Sequence, residues 1–158
     1  MVLKSNTLYF IALSFIYVVT NSACTSRTKT KEELILEYLS TIDNQFFPSD
    51  SNVVVIMSST NSCSVCLNEI SELRKLLTSS KIRFIYSVEH TGLLDKSLMK
   101  TKEKSVFFDY YNTPFKKGFV SANPMVYFVS NMKVIREMEL NGVALEEFRS
   151  EVERFVSQ

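Results

Sequence analysis

Val53-Val54-Val55-Ile56-Met57, followed after three residues by Asn61-Ser62-Cys63-Ser64-Val65-Cys66-Leu67-Asn68-Glu69, is the stretch that decides the fold. The first run is apolar throughout, as expected of a central parallel strand covered on both faces. The second opens a helical pattern with Ile70, Leu73, Leu76 and Leu77 on its buried side, predicting a helix from about Cys63 to Thr78 capped near Asn61 or Ser62. A strand that ends at the first turn of a helix presents Cys63 where unpaired N–H groups and the helix dipole favour a thiolate. Cys66, one turn deeper, is placed to resolve a mixed disulfide. This is the layout of a redox-active dithiol.

Outward from that stretch, Lys81 to Val88 reads as a second strand, completing a right-handed βαβ unit. Leu93 to Lys104 reads as a helix and Val106-Phe107-Phe108-Asp109 as a short extended segment. After Ser121-Ala122-Asn123-Pro124, two alternating apolar runs, Met125 to Val129 and Val134 to Leu140, flank the turn-like Ser130-Asn131-Met132-Lys133 and predict a β-hairpin. Gly142 breaks the second of these strands, and Leu145, Phe148, Val152 and Phe155 mark a closing amphipathic helix. Upstream, Leu34, Ile35, Tyr38, Leu39 and Ile42 recur at helical spacing, and the turn-like stretch Phe47 to Asn52 ends that helix.

The third cysteine has a separate explanation. Residues 1–23 read as an export signal: Lys4, an apolar stretch from Leu8 to Val19, then Thr20-Asn21-Ser22-Ala23 before Cys24. The apolar stretch is about 12 residues against the roughly 20 of a spanning helix, which makes a retained membrane anchor the weaker alternative. Ser22-Ala23-Cys24 resembles the bacterial lipoprotein cleavage motif, which implies a lipid on Cys24 as residue one of the mature chain. Asn21 departs from that motif, and an ordinary secretory signal with a free Cys24 thiol is the other reading. Residues 24–47 are then a tether and N-terminal helix, and residues 48–158 the folded domain. Cleavage removes Lys4 alone among charged residues, so the 18 basic residues become 17 against 17 acidic ones. Nothing in that balance argues for a nucleic-acid surface, and no lysine or arginine cluster has the spacing of one, so no nucleic-acid partner is expected. The 135 residues left from 158 after losing 23 suit one domain with a full core.

The CxxC at a strand-to-helix junction, the βαβ unit, and a proline directly before a hairpin and final helix resemble the thioredoxin superfamily. More narrowly the chain is similar to exported, membrane-tethered thiol-disulfide oxidoreductases of the TlpA/ResA type. Their C-x-x-C-x-x-E is matched by Cys63, Cys66 and Glu69, and the 61 positions from Cys63 to Pro124 leave room for their inserted helix and strand, with Phe107-Phe108-Asp109 at its end. The resemblance covers about Ser51 to Gln158. It implies an α/β, thioredoxin-like fold, a central mixed sheet flanked by helices. It also implies disulfide exchange with protein thiols of the bacterial cell envelope, with Cys63 as nucleophile, Cys66 as resolver, Glu69 as a partly buried proton carrier, and Asn123 and a cis Pro124 docking the partner. No organic cofactor or metal is implied, and the chain is expected as a monomer, lipid-anchored and facing periplasm or exterior. The departures are Ser62 in place of Trp, Ser64-Val65 in place of a proline-containing dipeptide, Asn123 before the proline, Ser71 after the Glu, and a chain without Trp.

Each site residue also has a plainer reading. Cys63 and Cys66 suit a structural disulfide, although so short a loop would stabilise little. They also suit half a metal site, for which the lone His90 leaves too few ligands. Pro124 suits an ordinary strand start, and Glu69 an exposed helix carboxylate stabilised by the first turn's dipole. Tyr110, Tyr111 and Phe115, interleaved with Lys116 and Lys117, read as core and rim. The alternative to an oxidoreductase is a non-catalytic lipoprotein of this fold that binds another envelope protein.

Overall fold

In the computed structural model, residues 28–46, 50–58, 64–89, 103–141 and 145–158 are described, residues 64–67 and 145 by their backbone alone. The export-signal residues, Cys24, Asn61, Ser62, Cys63, His90, the proposed Leu93–Lys104 helix up to residue 102, and Gly142 lie outside them. The chain divides after Thr30, and the unit from Lys31 to Gln158 carries every element that follows. No helix among the described residues is long and apolar enough to cross a membrane.

Helix α1 (Lys31–Ile42) leads into β1 (Asn52–Ser58), α2 (Ser64–Leu76), β2 (Ile82–Ser87), β3 (Val106–Asp109), a one-turn α3 (Thr113–Lys116), β4 (Met125–Ser130), β5 (Lys133–Glu139) and α4 (Leu145–Val156). The strands form one sheet in the order β3-β2-β1-β4-β5. Strands β1, β2 and β3 are parallel, whereas β4 runs antiparallel to both β1 and β5. Every residue of β1 is buried, as its unbroken apolar run requires of a strand covered on two sides.

Alternation along β1 divides the core. Val53, Val55 and Met57 face α2 and α4, where they meet Ile70, Leu73, Leu77, Phe148 and Val152. Val54 and Ile56 face α1 and the segment after α3, where Ile35, Tyr38, Leu39, Phe46 and Phe119 close over them. Burying each such side chain contributes about 1.5–3 kcal/mol, so the two layers rather than intrinsic propensity hold the short helices. Leu76, expected on the buried side of α2, is instead exposed, because the buried stripe runs through Ile70, Leu73 and Leu77 and Leu76 falls beside it.

Helix α1 lies within the same unit as the sheet and is pinned at both ends. Lys31 pairs with Glu137 at 2.7 Å, and Glu32 accepts the Val134 N–H at 3.0 Å on the edge strand β5. Past its other end, Asp43 pairs with Arg83 at 2.5 Å, and Arg83 also reaches Asn52 Oδ1 at 2.8 Å. The β4–β5 hairpin closes through Asn131 and Met132, both with positive φ, the backbone that matches strand twist in a two-residue turn. A register shift beside Phe128 and Val129 leaves Ile135 as the extra residue of a bulge on the β5 edge.

Candidate functional site

The carboxyl ends of β1, β2 and β3 form one rim. Register sets Ser58 beside Ser87 and Ser87 beside Asp109, all three buried. Open α/β sheets place their chemistry at this rim, because loops leave the strands there and helix N-termini point into it. Strand β1 ends at Ser58 and α2 begins at Ser64, so Cys63 is the position immediately before the helix and Cys66 lies in its first turn. Antiparallel pairing puts Met125 opposite Ile56, so Asn123 and Pro124 precede β4 at the same rim.

The Asn123-Pro124 segment is built more firmly than a loop needs to be. Glu139 Oε1 accepts from both Ser121 Oγ (3.1 Å) and Asn123 Nδ2 (2.7 Å), and the Asn123 N–H donates to Ser121 Oγ at 3.2 Å. The Pro124 carbonyl accepts the Leu140 N–H at 2.8 Å. No peptide bond is cis among the described residues, so the Asn123–Pro124 bond is trans, contrary to the expectation from resemblance. The physical reason is position: at the first step of a strand a proline's missing N–H costs no ladder bond, and the trans form is intrinsically preferred. The Asn123 N–H is already used within the loop, so a partner strand pairing here must exchange that bond for one of its own.

Glu69 stands one turn beyond Cys66 and is exposed rather than partly buried, since α2 spends its burial on Ile70 and Leu73. No group of three or more His, Cys, Asp or Glu side chains able to hold a metal occurs among the described residues.

Two features of the rim were not visible as such in the sequence. Asp109, only 3% exposed, accepts three hydrogen bonds: from Tyr38 Oη (3.1 Å), the Tyr111 N–H (2.8 Å) and the Thr113 N–H (3.0 Å). It ties α1 to the loop that follows β3. Burial, reinforced by this carboxylate, raises the Tyr38 pKa well above the ordinary tyrosine range, so the hydroxyl stays a donor. Alongside, Ser87 Oγ donates to Asn112 Oδ1 at 2.6 Å, with Asn112 buried in the left-handed region at φ 53°. Asn tolerates that backbone where most residues do not. Tyr86, pushed up to about 12 by burial, lies under the rim, stacked on Phe108. At the other end of the sheet, a cavity of about 440 Å³ between the end of α2 and the start of β2 is lined by Arg74, Arg83, Asp43 and Glu103 and takes no part in this rim.

A mixed sheet of this order, with a βαβ unit feeding a hairpin and a closing helix, defines a thioredoxin-like α/β fold. No family model and no curated protein matches the chain. Among solved structures it is similar to an exposed lipoprotein thioredoxin, Etrx1, from Streptococcus pneumoniae strain TIGR4. The identity is 12% and the TM-score 0.48, over 68% of this chain and 87% of that one. It is also similar to a thioredoxin-like protein from Porphyromonas gingivalis, at 17% identity and TM-score 0.46 over 69% and 77%. A third is a secreted Mycobacterium tuberculosis disulfide oxidoreductase homologous to E. coli DsbE, at 10% identity and TM-score 0.48 over 73% and 85%.

Proposed function

We propose that this protein is a thiol-disulfide oxidoreductase of the bacterial cell envelope, exported and held to the membrane by a lipid on Cys24. The observation that supports it most is the place of the cysteine pair: Cys63 directly before α2 and Cys66 in its first turn, at the carboxyl end of β1. The first N–H groups of a helix have no intrahelical acceptor and carry partial positive charge, which favours a thiolate there.

In this reading the Cys63 thiolate attacks one sulfur of a partner disulfide. The partner's other sulfur leaves as a thiolate and takes up a proton. Cys66, having lost its proton, then attacks Cys63, so the partner departs as a dithiol and the Cys63–Cys66 disulfide remains. Two electrons pass from this chain to the partner, and the oxidised pair must be reduced again by a dithiol donor. Glu69, exposed one turn from Cys66, exchanges the proton with solvent. Asn123 and Pro124 steady the partner's extended segment beside the sulfurs. Ser64 and Val65 put no charged residue or histidine between the cysteines to add to the helix-end stabilisation of the thiolate, which favours a reductant over a strong oxidant.

Thiol trapping in isolated envelopes equilibrated with glutathione at set potentials tests the proposal. The Cys63/Cys66 pair is expected to cycle reversibly with a midpoint between about −270 and −120 mV, the span of thioredoxin-like proteins. A pair that stays oxidised at every potential is a structural disulfide and leaves only a binding module. Mass spectrometry of the mature N-terminus in the same envelopes is expected to find a lipid-modified Cys24; an unmodified first residue elsewhere removes the anchor.

A further inference from the structure

The cavity of about 440 Å³ at the amino ends of β2 and β3 carries more positive than negative charge. Arg74, Lys75, Arg83 and Lys104 line it against Asp43 and Glu103. Some of these charges are committed within the fold. Arg83 gives its Nε–H to Asp43 and further donors to Asn52 Oδ1 and to the Ser80 and Gln45 carbonyls. Lys75 pairs with Glu72 on its own helix at 2.7 Å. Setting those pairs aside leaves Arg74 and Lys104 against Glu103, an excess of one positive charge.

Arg74 is the unusual member. Cations in the last turn of α2 answer the field of its carbonyl end, a role that asks only for an exposed side chain such as that of Lys75. The Arg74 side chain is instead 14% exposed, and its Nε and Nη1 are buried without a hydrogen-bond acceptor among the described residues. Glu103 Oε2, at 3.5 Å from Nη1, makes an ion pair there but no hydrogen bond. A buried donor without an acceptor costs about 1–3 kcal/mol, and more when it is charged. Native proteins complete nearly all such groups with a protein, water or ligand partner.

The donors come from two segments of chain. Arg74 and Thr78 belong to the end of α2 and the turn after it, Lys104 and Ser105 to the chain entering β3. Nitrogen and hydroxyl donors from separate walls suit a tetrahedral group with three acceptor oxygens better than the two coplanar oxygens of a carboxylate. The volume is that of a small-molecule pocket rather than of a single ion. We infer that this cavity binds a phosphomonoester, with the Arg74 guanidinium and the Lys104 ammonium on the phosphate and Glu103 yielding its place beside Arg74. A free ester and a lipid headgroup share that chemistry. The cavity lies at the opposite end of the strands from the carboxyl rim, and the inference does not rest on the oxidoreductase reading.

Isothermal titration calorimetry of the full-length protein in dodecyl maltoside, against inorganic phosphate and glycerol 3-phosphate, tests the site. Both are expected to bind, about tenfold more weakly in Arg74→Gln and not measurably in Lys104→Glu. Succinate, of like charge but with carboxylates only, is expected to bind at least about tenfold more weakly than either. Because Arg74 is packed, the exposed Lys104→Glu carries the test if Arg74→Gln does not fold, and Lys104→Ala, expected to bind several-fold more weakly, separates lost attraction from added repulsion. Titrating glycerol 3-phosphate into the protein held in phosphatidylcholine vesicles distinguishes the two sources. Binding unchanged by added phosphatidic acid assigns a free ester; binding lost with phosphatidic acid but kept with phosphatidylglycerol assigns a lipid headgroup, and either upholds the phosphate site. No binding of either phosphate probe, affinity no greater than that for succinate, or affinity unchanged in Arg74→Gln and Lys104→Glu overturns it and leaves the Arg74 nitrogens to water.

Discussion

Cells carrying Cys66→Ser are expected to accumulate mixed disulfides between this protein and its partners, visible on non-reducing gels as higher-mass adducts that collapse on adding reductant. Cells carrying Cys63→Ser are expected to show none. The difference follows from the places of the two residues, one directly before α2 and the other in its first turn. Without Cys66 the thiolate still attacks, but the second displacement that would free the partner has no sulfur to perform it, so a transient species becomes an end product. Without Cys63 the remaining thiol is the resolving member of the pair, which in this reading attacks only a mixed disulfide already formed on Cys63. A structural disulfide behaves otherwise, because both variants would then lose the same small loop-closure contribution and neither would hold a partner. Equal trapping by the two variants, or none by either, removes the assigned roles.

Asp109→Ala is expected to be strongly destabilising. Its carboxylate is the acceptor for the Tyr38 hydroxyl and for the Tyr111 and Thr113 N–H groups. Removing it strands three donors at a site only 3% exposed, at about 1–3 kcal/mol for each donor that water cannot reach. The total is about 3–9 kcal/mol, a large part of the roughly 5–15 kcal/mol by which a domain is stable. Tyr38→Phe, which removes one donor with its acceptor still served twice, should cost about 1 kcal/mol. Urea unfolding of the two variants measures both, the signature being a lowered midpoint at unchanged slope. A loss below about 1 kcal/mol for Asp109→Ala would mean that solvent already serves these donors.

Much of the architecture was legible because burial writes itself into local patterns. The unbroken run Val53–Met57 announced a strand covered on both faces, and β1 is buried along its whole length. The alternating runs around Asn131 and Met132 announced the hairpin, and Val106–Asp109 pairs with β2 as a short strand. Period alone did not identify which helix residue would fall just outside the buried stripe, and Leu76 is the instance. The four-residue α3 left no periodic trace, since one turn is shorter than the pattern that would reveal it.

By itself the sequence determined the five strands, the helices α1, α2 and α4 and their order, and it carries two cysteines three positions apart in the chain after a doubly buried strand. Those properties depend on neighbours within a few positions, where side-chain type and backbone preference act together. The tertiary structure alone decided what depends on distant partners. Asp109 meets Tyr38 from 71 positions away, Glu139 clamps Asn123 from the far strand of a hairpin, and both carboxylates look like ordinary polar residues in the chain. The trans bond before Pro124 and the outward rings of Tyr110, Tyr111 and Phe115 belong to the same class. Each is settled by whether surrounding layers satisfy a buried polar group or leave a ring in water, and that balance exists only once the sheet has brought its strands together.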